Sequence, residues 1–497
     1  MEKLPRYLQT HCLSYLGCQD AARAMGTSKD MLFLLTGLEQ QATSLVVESA
    51  RDSAKDIEED SAKETLPRQE DSAKKAHFAD QVLDKAMSRL TARPQFAVVF
   101  YKDTSCRQRI ASFAEHKLPR GVPVLAAQVQ DVQSCAGGDE IPNTESNMVV
   151  EMGAFPGAVC VGFALDGSTT QSGVLPAGHE ATFWKVFVIL ACGSASHTRV
   201  PSLIEELHGA YPAATVIGGI SGTVSLFEGN ASSHTFLRNG YAVLAFGGNV
   251  PLRACVSLGL EPISPLVTVE TATWASDSEM DVVMVRQGDS VVAATHWLSH
   301  ASEGTIGIKF SGQSGFQLVE DASFTVGMDG VPRLRVMLEN APANANPEGA
   351  TMGTFVATTR AAVSDLHKML DRLKAHLAQN DERVLAGLMF SCSARGPHPM
   401  TKETGPMLDA RAFQDKFGVP LIGFYAGGEI GPRARALVDG EAFESSRAVV
   451  QGYTVVYGVF IVPHNSFSPL ELYGNVTAEH TARIRDFLAG KRPLYDQ

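Results

Sequence analysis

Apolar and polar positions follow three different patterns along the chain. Residues 4–38 carry apolar side chains at helical spacing, which predicts about three short helices. Residues 47–76 are rich in Asp, Glu, Lys, Arg, Ser and Ala, and their opposite charges at i,i+3 and i,i+4 favour an exposed helix or a partly ordered spacer. From residue 77 onward, short apolar runs alternate with amphipathic stretches. The pattern therefore predicts a helical unit, a charged linker and a large body of strands and helices.

Strand and helix patterns alternate within the body. Strands are predicted at 96–101, 159–163, 184–191, 215–217, 241–246, 282–286, 351–358, 384–391, 420–426 and 449–462. Helices are predicted at 78–90, 110–116, 201–211, 364–379 and 410–417. Such alternation is typical of α/β folds, but the paired later strands fit antiparallel sheets equally well. The fold class is therefore predicted as α+β (mixed α/β), with mixed sheets in a two-part body.

The same pattern divides the chain into five segments. The predicted boundaries are 1–45 for the helical unit, 46–76 for the linker, 77–270 and 271–465 for the two parts of the body, and 466–497 for a C-terminal tail with a short helix.

Composition narrows the class of protein. Hydrophobic residues make up 44% and charged residues 19%, the profile of a soluble globular protein. The longest apolar run, 186–192, is too short to span a bilayer, and the first residues show no signal-peptide pattern. The formal charge of −12 argues against bulk binding of nucleic acid. We therefore expect a protein of the cytoplasm, the nucleus or both, with protein or small-molecule partners and no membrane insertion.

Cysteines, histidines and glycines give no strong motif for a metal or a nucleotide. The eight cysteines contain no C-x-x-C pair, so neither a zinc site nor a disulfide framework is predicted. His296 and His300 have the i,i+4 spacing that metals use, but no third ligand is identifiable. Gly218 and Gly219 follow a strand pattern without a G-x-G-x-x-G motif, which favours a tight structural turn. We expect no bound metal.

Two polar segments follow neighbouring predicted strands of the second part. Open α/β sheets place ligand crevices at the carboxyl ends of their strands. An arginine and a glutamate there fit the carboxylate and ammonium of an amino-acid-like zwitterion, and an internal ion pair between Arg395 and Glu429 fits the pattern as well. The candidate ligand-binding residues are Ser391, Cys392, Arg395, Gly427, Gly428 and Glu429.

Cys392 allows two interpretations. A thiol near Arg395 at a strand end is expected to have a lowered pKa and to act as a nucleophile or redox sensor, whereas a small core residue is the commoner outcome. Catalysis also needs a base nearby, which the sequence does not place. No catalytic residue is therefore assigned, although a thiol- or metal-dependent hydrolase stays as an alternative.

The N-terminal segment LPRYLQTHCLSYLGCQDAARAMGTSKDM, at 4–31, resembles an F-box. The resemblance implies an apolar patch that docks a Skp-type adaptor; an ordinary helical hairpin is the alternative. Ala21 stands where the F-box pattern has leucine. The implied adaptor-binding residues are Leu4, Pro5, Leu8, Leu13 and Leu16.

The body, from about 96 to 462, resembles the FIST family. FSCSARG at 390–396 and PLIGFYAGGEIGP at 420–432 are similar to the motifs of the FIST C-terminal domain. VIGGISG at 216–222 and the segment 240–269 are similar to the end of the FIST N-terminal domain. The family match therefore rests on segments in both parts of the body.

An F-box joined to FIST domains implies a substrate-recognition subunit of an SCF-type ubiquitin ligase, without catalysis of its own. Its implied partners are a Skp-type adaptor, a cullin complex and protein substrates. The alternative is a small-ligand sensor or signal-transduction protein without a ubiquitin role. Some bacterial relatives bind haem, the one cofactor that the resemblance allows, but no axial ligand stands out among the histidines and cysteines.

Overall fold

The structure is a computed structural model of the chain. It describes residues 44–51, 68–90, 93–135, 146–155, 158–167, 183–232, 234–248, 250, 252–300, 304–313, 315–338, 345–396, 408–435 and 447–463. The predicted F-box residues and the predicted C-terminal tail lie outside these ranges.

The described residues form helices and strands whose bounds are as follows. The helices are α1 (Arg68–Arg89), α2 (Ser105–Lys117), α3 (Ala195–Ala210), α4 (Ala294–His300), α5 (Thr359–Gln379) and α6 (Leu408–Phe417). The strands of the first part are β1 (Ser44–Arg51), β2 (Phe96–Tyr101), β3 (Pro123–Gln128), β4 (Val132–Cys135), β5 (Ser146–Ala154), β6 (Ala158–Asp166), β7 (Trp184–Cys192), β8 (Thr215–Ser221), β9 (Thr223–Glu228), β10 (His234–Leu237), β11 (Gly240–Gly248), β12 (Leu252–Ser257) and β13 (Leu260–Pro262). The later strands are β14 (Val267–Trp274), β15 (Glu279–Gln287), β16 (Ser290–Ala293), β17 (Thr305–Lys309), β18 (Gln317–Leu318), β19 (Asp321–Val326), β20 (Pro332–Met337), β21 (Thr351–Ala357), β22 (Glu382–Cys392), β23 (Leu421–Ala426), β24 (Glu429–Pro432), β25 (Ala448–Gln451) and β26 (Val455–Pro463).

The strands assemble into four sheets. Sheet 1 has the order β1-β5-β2-β3-β9-β10, sheet 2 the order β25-β24-β8-β7-β11-β6, and sheet 3 the order β12-β26-β22-β23-β4. Sheet 4 runs β18-β17-β21-β14-β15-β20-β19, with β13 on β21 and β16 on β15. Parallel pairing joins β2 to β3, β7 to β8 and β22 to β23, while the other described pairs are antiparallel. Sheets 1, 2 and 3 are mixed, the described pairs of sheet 4 are all antiparallel, and the predicted α+β class is confirmed.

A central apolar core lies between sheet 1 on one side and sheets 2 and 3 on the other. Phe100 of sheet 1 reaches Phe424 of sheet 3 with ring centroids 4.9 Å apart, and Phe96 stacks on Phe460 at 6.2 Å. The outer faces are covered by helices: α1 and α2 on sheet 1, α3 on sheet 2, and α5 and α6 on sheet 3. Strands buried on both faces read as continuous apolar runs, which is why their sequences predicted strands so clearly.

The two parts of the body share their sheets. β4 and β12 come from the first part, yet they pair with β23 and β26 in sheet 3. Conversely, β24 and β25 come from the second part and extend sheet 2 beyond β8. The predicted boundary at 270 falls inside β14. Sequence order and sheet membership therefore differ.

Three predicted elements differ from the structure. The strand predicted at 449–462 is two strands in different sheets, because Gly452 and Tyr453, whose φ is 60°, turn the chain between them. The helix predicted from 201 begins at Ala195, so Pro201 lies inside it. Residues 44–51, which cross the predicted boundary between the helical unit and the charged linker, form a strand paired with β5 where the linker was predicted to begin as an exposed helix or a partly ordered spacer, and α1 runs from Arg68 across the boundary at 76.

Candidate functional site

The structure brings the two predicted polar segments together at one edge of sheet 3. β22 and β23 are parallel neighbours, and Cys392 at the end of one lies in register with Ala426 at the end of the other. Ser391 and Cys392 end the first strand and Arg395 follows it, while Gly427, Gly428 and Glu429 follow the second. Parallel pairing sends both chain segments out of the sheet on the same side. These residues form the candidate site.

Arg395 is buried and paired with Asp409 at the start of α6. Its Nη2 lies 2.7 Å from one carboxylate oxygen of Asp409, and its Nε donates to the other at 3.1 Å. Ser391 Oγ also donates to that carboxylate at 2.6 Å, and the Tyr457 hydroxyl donates to the Asp409 backbone carbonyl at 2.9 Å. An internal ion pair was one of the two sequence interpretations, but its acid is Asp409 rather than Glu429.

Glu429 is fully buried on β24, opposite Gly219 of β8. Its Oε2 accepts hydrogen bonds from the Thr454 backbone N–H at 3.2 Å and from the Thr454 hydroxyl at 2.8 Å. Burial raises the pKa of Glu429 to about 8, although the Thr454 hydrogen bonds and the charge of Arg395 act in the opposite direction. Glu429 is therefore mostly protonated at neutral pH.

Cys392 is buried beside Glu429. Burial and then the Glu429 carboxyl raise the pKa of the Cys392 thiol, and hydrogen bonds from backbone amides offset this in part. The prediction of a lowered pKa is wrong because the guanidinium of Arg395 is engaged by Asp409, while the nearest acid faces the thiol. Cys392 is a protonated thiol at neutral pH, not an activated nucleophile.

Among the described residues, Arg395 Nη1 and Glu429 Oε1 are buried polar atoms of the site without a nitrogen or oxygen partner, and the Cys392 thiol hydrogen-bonds to the Glu429 carboxyl. The Arg395 charge acts on the pKa of Glu429, so the two side chains are electrostatic neighbours. Buried polar atoms in folded proteins are nearly always hydrogen-bonded, because leaving one unpaired costs about 1–3 kcal/mol. A donor and a carboxyl oxygen of the site thus have hydrogen-bonding capacity that no nitrogen or oxygen atom of the described residues uses.

Backbone hydrogen bonds of Gly427 and Gly428 connect the site to β8 of sheet 2. The Gly427 N–H donates to the Ile220 carbonyl and the Ile220 N–H donates to the Gly428 carbonyl, both at 2.9 Å. Gly218 lies within β8 rather than in the predicted tight turn, and a Cβ there would stand 1.8 Å from the Ile189 carbonyl oxygen. The glycine-rich motifs of the two parts therefore meet strand to strand.

Comparison with known families shows which protein family the chain belongs to. A family model described as the FIST N domain matches residues 22–277, which is more than half of the chain, and one described as the FIST C domain matches residues 343–432. The chain belongs to the FIST family. The FIST C match contains Ser391 through Glu429 with Asp409 between them, whereas Thr454 lies beyond it. The family comparison matches no F-box, and the FIST N match begins inside the segment that resembles one.

Similar sequences occur in bacteria. An uncharacterised protein of Mycobacterium tuberculosis, found in strain CDC 1551 / Oshkosh and in strain ATCC 25618 / H37Rv, is 27% identical to this chain over 320 residues. The similarity covers 60% of this chain and 76% of the relative. Its name assigns no function.

The described residues contain neither a cluster of metal ligands nor a membrane-spanning helix. Within the described residues of this FIST protein, no three His, Cys, Asp or Glu side chains are grouped to hold a metal ion. The rings of His296 and His300 lie 4.3 Å apart, and His300 Nδ1 contacts the His296 carbonyl at 2.9 Å. None of the helices in the described ranges is both long and apolar enough to cross a bilayer.

Sequence reasoning missed two residues of the site, Asp409 and Thr454. Asp409 is the second residue of α6, whose start was predicted at 410, and an acid in the first helical turn is a common pattern with no specific meaning. Thr454 follows the unpredicted turn between β25 and β26. The sequence around Asp409 and Thr454 carries no distinctive pattern that would mark either residue as part of the site.

Proposed function

We propose that this FIST protein is a non-catalytic sensor that binds a small polar ligand at the candidate site. The observation that carries the proposal is the pair of unpartnered atoms, Arg395 Nη1 and Glu429 Oε1, at the carboxyl ends of two parallel strands. A ligand with an acceptor for the guanidinium and a hydrogen-bonding group for the carboxyl would satisfy both. Family membership and the absence of a function in the mycobacterial relative's name leave the ligand to be identified by experiment.

The charges around the site favour recognition by hydrogen bonds. Asp409 compensates the charge of Arg395, and Glu429 is mostly protonated at neutral pH. An amino-acid-like zwitterion, which the sequence suggested, would find neither a free cation nor a full anion. A small polar molecule without separated charges fits the site better, since its groups can complete the hydrogen bonding without charge compensation.

The raised pKa of Cys392 supports a role without catalysis. Nucleophilic catalysis by a thiol requires the thiolate, and the neighbouring Glu429 disfavours that form. A protonated thiol beside a protonated carboxyl instead supplies weak hydrogen-bonding groups for a bound ligand.

Thermal unfolding of the full chain tests the proposal. The probes are the twenty amino acids and a panel of small neutral amides and polyols, each added to the wild type, to Arg395→Lys and to Glu429→Gln. A binder present at about 100 times its Kd stabilises the folded state by about 2.7 kcal/mol. We expect at least one neutral probe to raise the Tm of the wild type, and Arg395→Lys to abolish that rise.

The matched control is Glu151→Gln. Glu151 on β5 is also fully buried with unpartnered carboxyl oxygens, but it belongs to sheet 1 rather than to the site. Its variant should keep the ligand response. Equal responses in all the variants would reject this site, and responses restricted to zwitterionic amino acids would reject the proposed ligand class.

A role as substrate receptor of an SCF-type ubiquitin ligase is a second proposal, and its support is the N-terminal sequence pattern. Leu4, Pro5, Leu8, Leu13 and Leu16 would contact the Skp-type adaptor, and the FIST body would recruit protein substrates. Co-purification of the adaptor with the wild type and its loss in Leu8→Asp is the expected result. A wild-type chain that fails to retain the adaptor would contradict the proposal.

A further inference from the structure

The outermost strand of sheet 4, β19, carries apolar side chains in solvent. Phe324 is 60% exposed and Val326 70% exposed, and Met328 in the following turn is fully exposed. Phe324 and Ala322 lie opposite Leu334 and Val336 of β20, whose side chains are fully buried in the core of sheet 4. Residues directly opposite each other in a sheet share a face. Phe324 therefore continues the core-facing side of the sheet into solvent.

Helix α4 covers part of this face and ends short of β19. It packs against β15 and β20, and its Trp297 is buried in the same core. The exposed apolar surface of β19 is thus adjacent to a completed core. Contiguous apolar surface next to a core is typical of an interaction surface rather than of an ordinary strand face.

The outer edge of β19 also carries backbone groups that β20 does not use. The Gly327 N–H donates to the Val331 carbonyl at 3.0 Å, and the register continues from there through Thr325 opposite Arg333. Antiparallel ladders alternate between residues that bond to the neighbour and residues that do not. Val326 is a residue that does not bond to the neighbouring strand β20. It lies opposite Pro332, which has no N–H to donate. The N–H and carbonyl groups of Ala322, Phe324 and Val326 therefore point away from β20, towards the free edge, where the Ala322 N–H donates to the carboxylate of the preceding Asp321 at 2.9 Å.

This edge lacks the features that usually prevent strands from pairing between molecules. Natural edge strands are protected by lysines, prolines, bulges or inward-pointing charges. β19 reads DASFTV, and its register with β20 shows no bulge. Its one charged residue, Asp321, is at its beginning, and its carboxylate accepts the Ala322 N–H, a local bond that a pairing strand would have to replace. No other strand in the described ranges pairs with this edge.

We propose that β19 pairs antiparallel with the same strand of a second copy of this chain, about a two-fold axis at Phe324. That register places Phe324 beside Phe324 of the partner subunit. It sets Ala322 opposite Val326 and Ser323 opposite Thr325, so that apolar residues meet on one face and polar residues on the other. Asp321 lies opposite Gly327, so no like charges face each other.

In this register the charged, polar and apolar residues of β19 complement those of an identical strand, so a second copy of the chain is the partner that fits this edge. The register also uses all the outward backbone groups of Ala322, Phe324 and Val326. A two-fold axis at Ser323 is less favourable, since it would set exposed Val326 opposite the charged Glu320. The resulting dimer joins sheet 4 of both copies into one continuous sheet and buries the phenylalanine rings against each other.

Sedimentation of the full-length chain from low to high micromolar concentration tests the dimer. The wild type is expected to dimerise. Phe324→Lys, which adds like charges at the axis, and Ala322→Pro, which removes an outward N–H without touching the ladder to β20, should each weaken association by roughly tenfold or more. Val291→Lys is the matched control, because Val291 is an exposed apolar residue of β16 in the same sheet. It should dimerise like the wild type.

A cysteine at the axis gives a second, direct test. Phe324→Cys should form a disulfide between copies under mild oxidation, since opposed residues in an antiparallel pair lie about 5.5 Å apart, within reach of a disulfide. Val291→Cys should form none. A wild-type chain that is monomeric throughout the concentration range would overturn the proposal. So would a dimer that survives both Phe324→Lys and Ala322→Pro, or equal cross-linking of the two cysteine variants.

Discussion

At the scale of single residues, buried glutamates are the most unusual feature of the molecule. Glu151 has no partner for either carboxyl oxygen, and burial raises its pKa well above the ordinary value. Glu429 has partners for one oxygen and a pKa raised to about 8. A carboxyl group in such surroundings stays protonated, because an unpaired buried charge costs much more than a neutral acid. Both residues therefore link the stability of the fold to pH.

The pH dependence of Glu429→Gln is the first prediction. Folded Glu429 keeps its proton up to about pH 8, whereas the unfolded chain loses it near the ordinary value of 4.5. The wild type therefore loses stability as the pH rises from 4.5 to 8, by at most about 1.4 kcal/mol per pH unit from this group. Glutamine has no proton to lose. We expect the stability of Glu429→Gln relative to the wild type to increase across this window and to level off above pH 8.

Urea unfolding at a series of pH values measures this difference. The exposed Glu206→Gln serves as the control and should follow the wild-type profile. A constant difference between Glu429→Gln and the wild type from pH 5 to pH 8 would show that Glu429 is ionised in the folded protein.

The sequence predicted where the residues of the candidate site lie better than it predicted which residues they hydrogen-bond to. Ser391, Cys392, Arg395 and Glu429 stood out because they follow apolar strands, and the structure brings them together. Asp409 and Thr454 did not stand out, since an acid in a helix and a threonine after a turn are common. Which acid pairs with Arg395 depends on where α6 packs, and local sequence carries little information about that.

At the scale of elements, the pairing of β7 with β8 is the most tightly constrained contact around the site. Gly218 lies in register with Ile189, and an added Cβ would meet the Ile189 carbonyl oxygen at 1.8 Å. Both groups belong to the backbone, so neither can rotate away. β8 also carries β24 and hence Glu429. A change at Gly218 is therefore transmitted to the site.

Gly218→Ala is the second prediction. We expect it to lower the free energy of unfolding by about 3 kcal/mol or more, because the strands must separate to admit the methyl group. Gly209→Ala is the matched control, since Gly209 lies exposed in α3 with no atom within 4 Å of the added Cβ. It should stabilise by about 0.5–1 kcal/mol through helix propensity. Equal stability of the two variants in urea would contradict the proposed constraint.

Most elements were recognisable from their sequence patterns, and the exceptions have local causes. β2 was predicted with its exact bounds because it is buried on both faces and apolar throughout. The run 449–462 is also largely apolar, but Gln451, Gly452 and the positive φ of Tyr453 interrupt it. Hydrophobic periodicity does not detect a turn between two strands that are both buried.

At the scale of the whole molecule, the two FIST domains do not form separate sheets. β4, β8 and β12 each pair with a strand from the second part, and the central core joins Phe96 and Phe100 to rings from that part. Removing the second part would expose these strand edges and the core side chains that pack against its rings. A domain in the sequence sense therefore need not be a folding unit.

A fragment of residues 1–277, which ends with the FIST N match, is the third prediction. We expect it to lack a cooperative thermal transition and to bind a dye for exposed apolar surface, whereas the full chain unfolds cooperatively. Co-expression of residues 278–497 should restore cooperative unfolding. A fragment that unfolds cooperatively alone, with native near-UV circular dichroism, would contradict the prediction.

The amino-acid sequence by itself determined the α+β class, most strands and helices, the FIST motifs and the segments that carry the candidate site. These features depend on short-range patterns: apolar periodicity, strand ends and glycine-rich motifs. The tertiary structure decided the pairing of strands from distant parts, the choice of Asp409 as the partner of Arg395, and the raised pKa values of Glu429 and Cys392. Each of these depends on burial and on contacts between residues far apart in the chain, which local sequence does not encode.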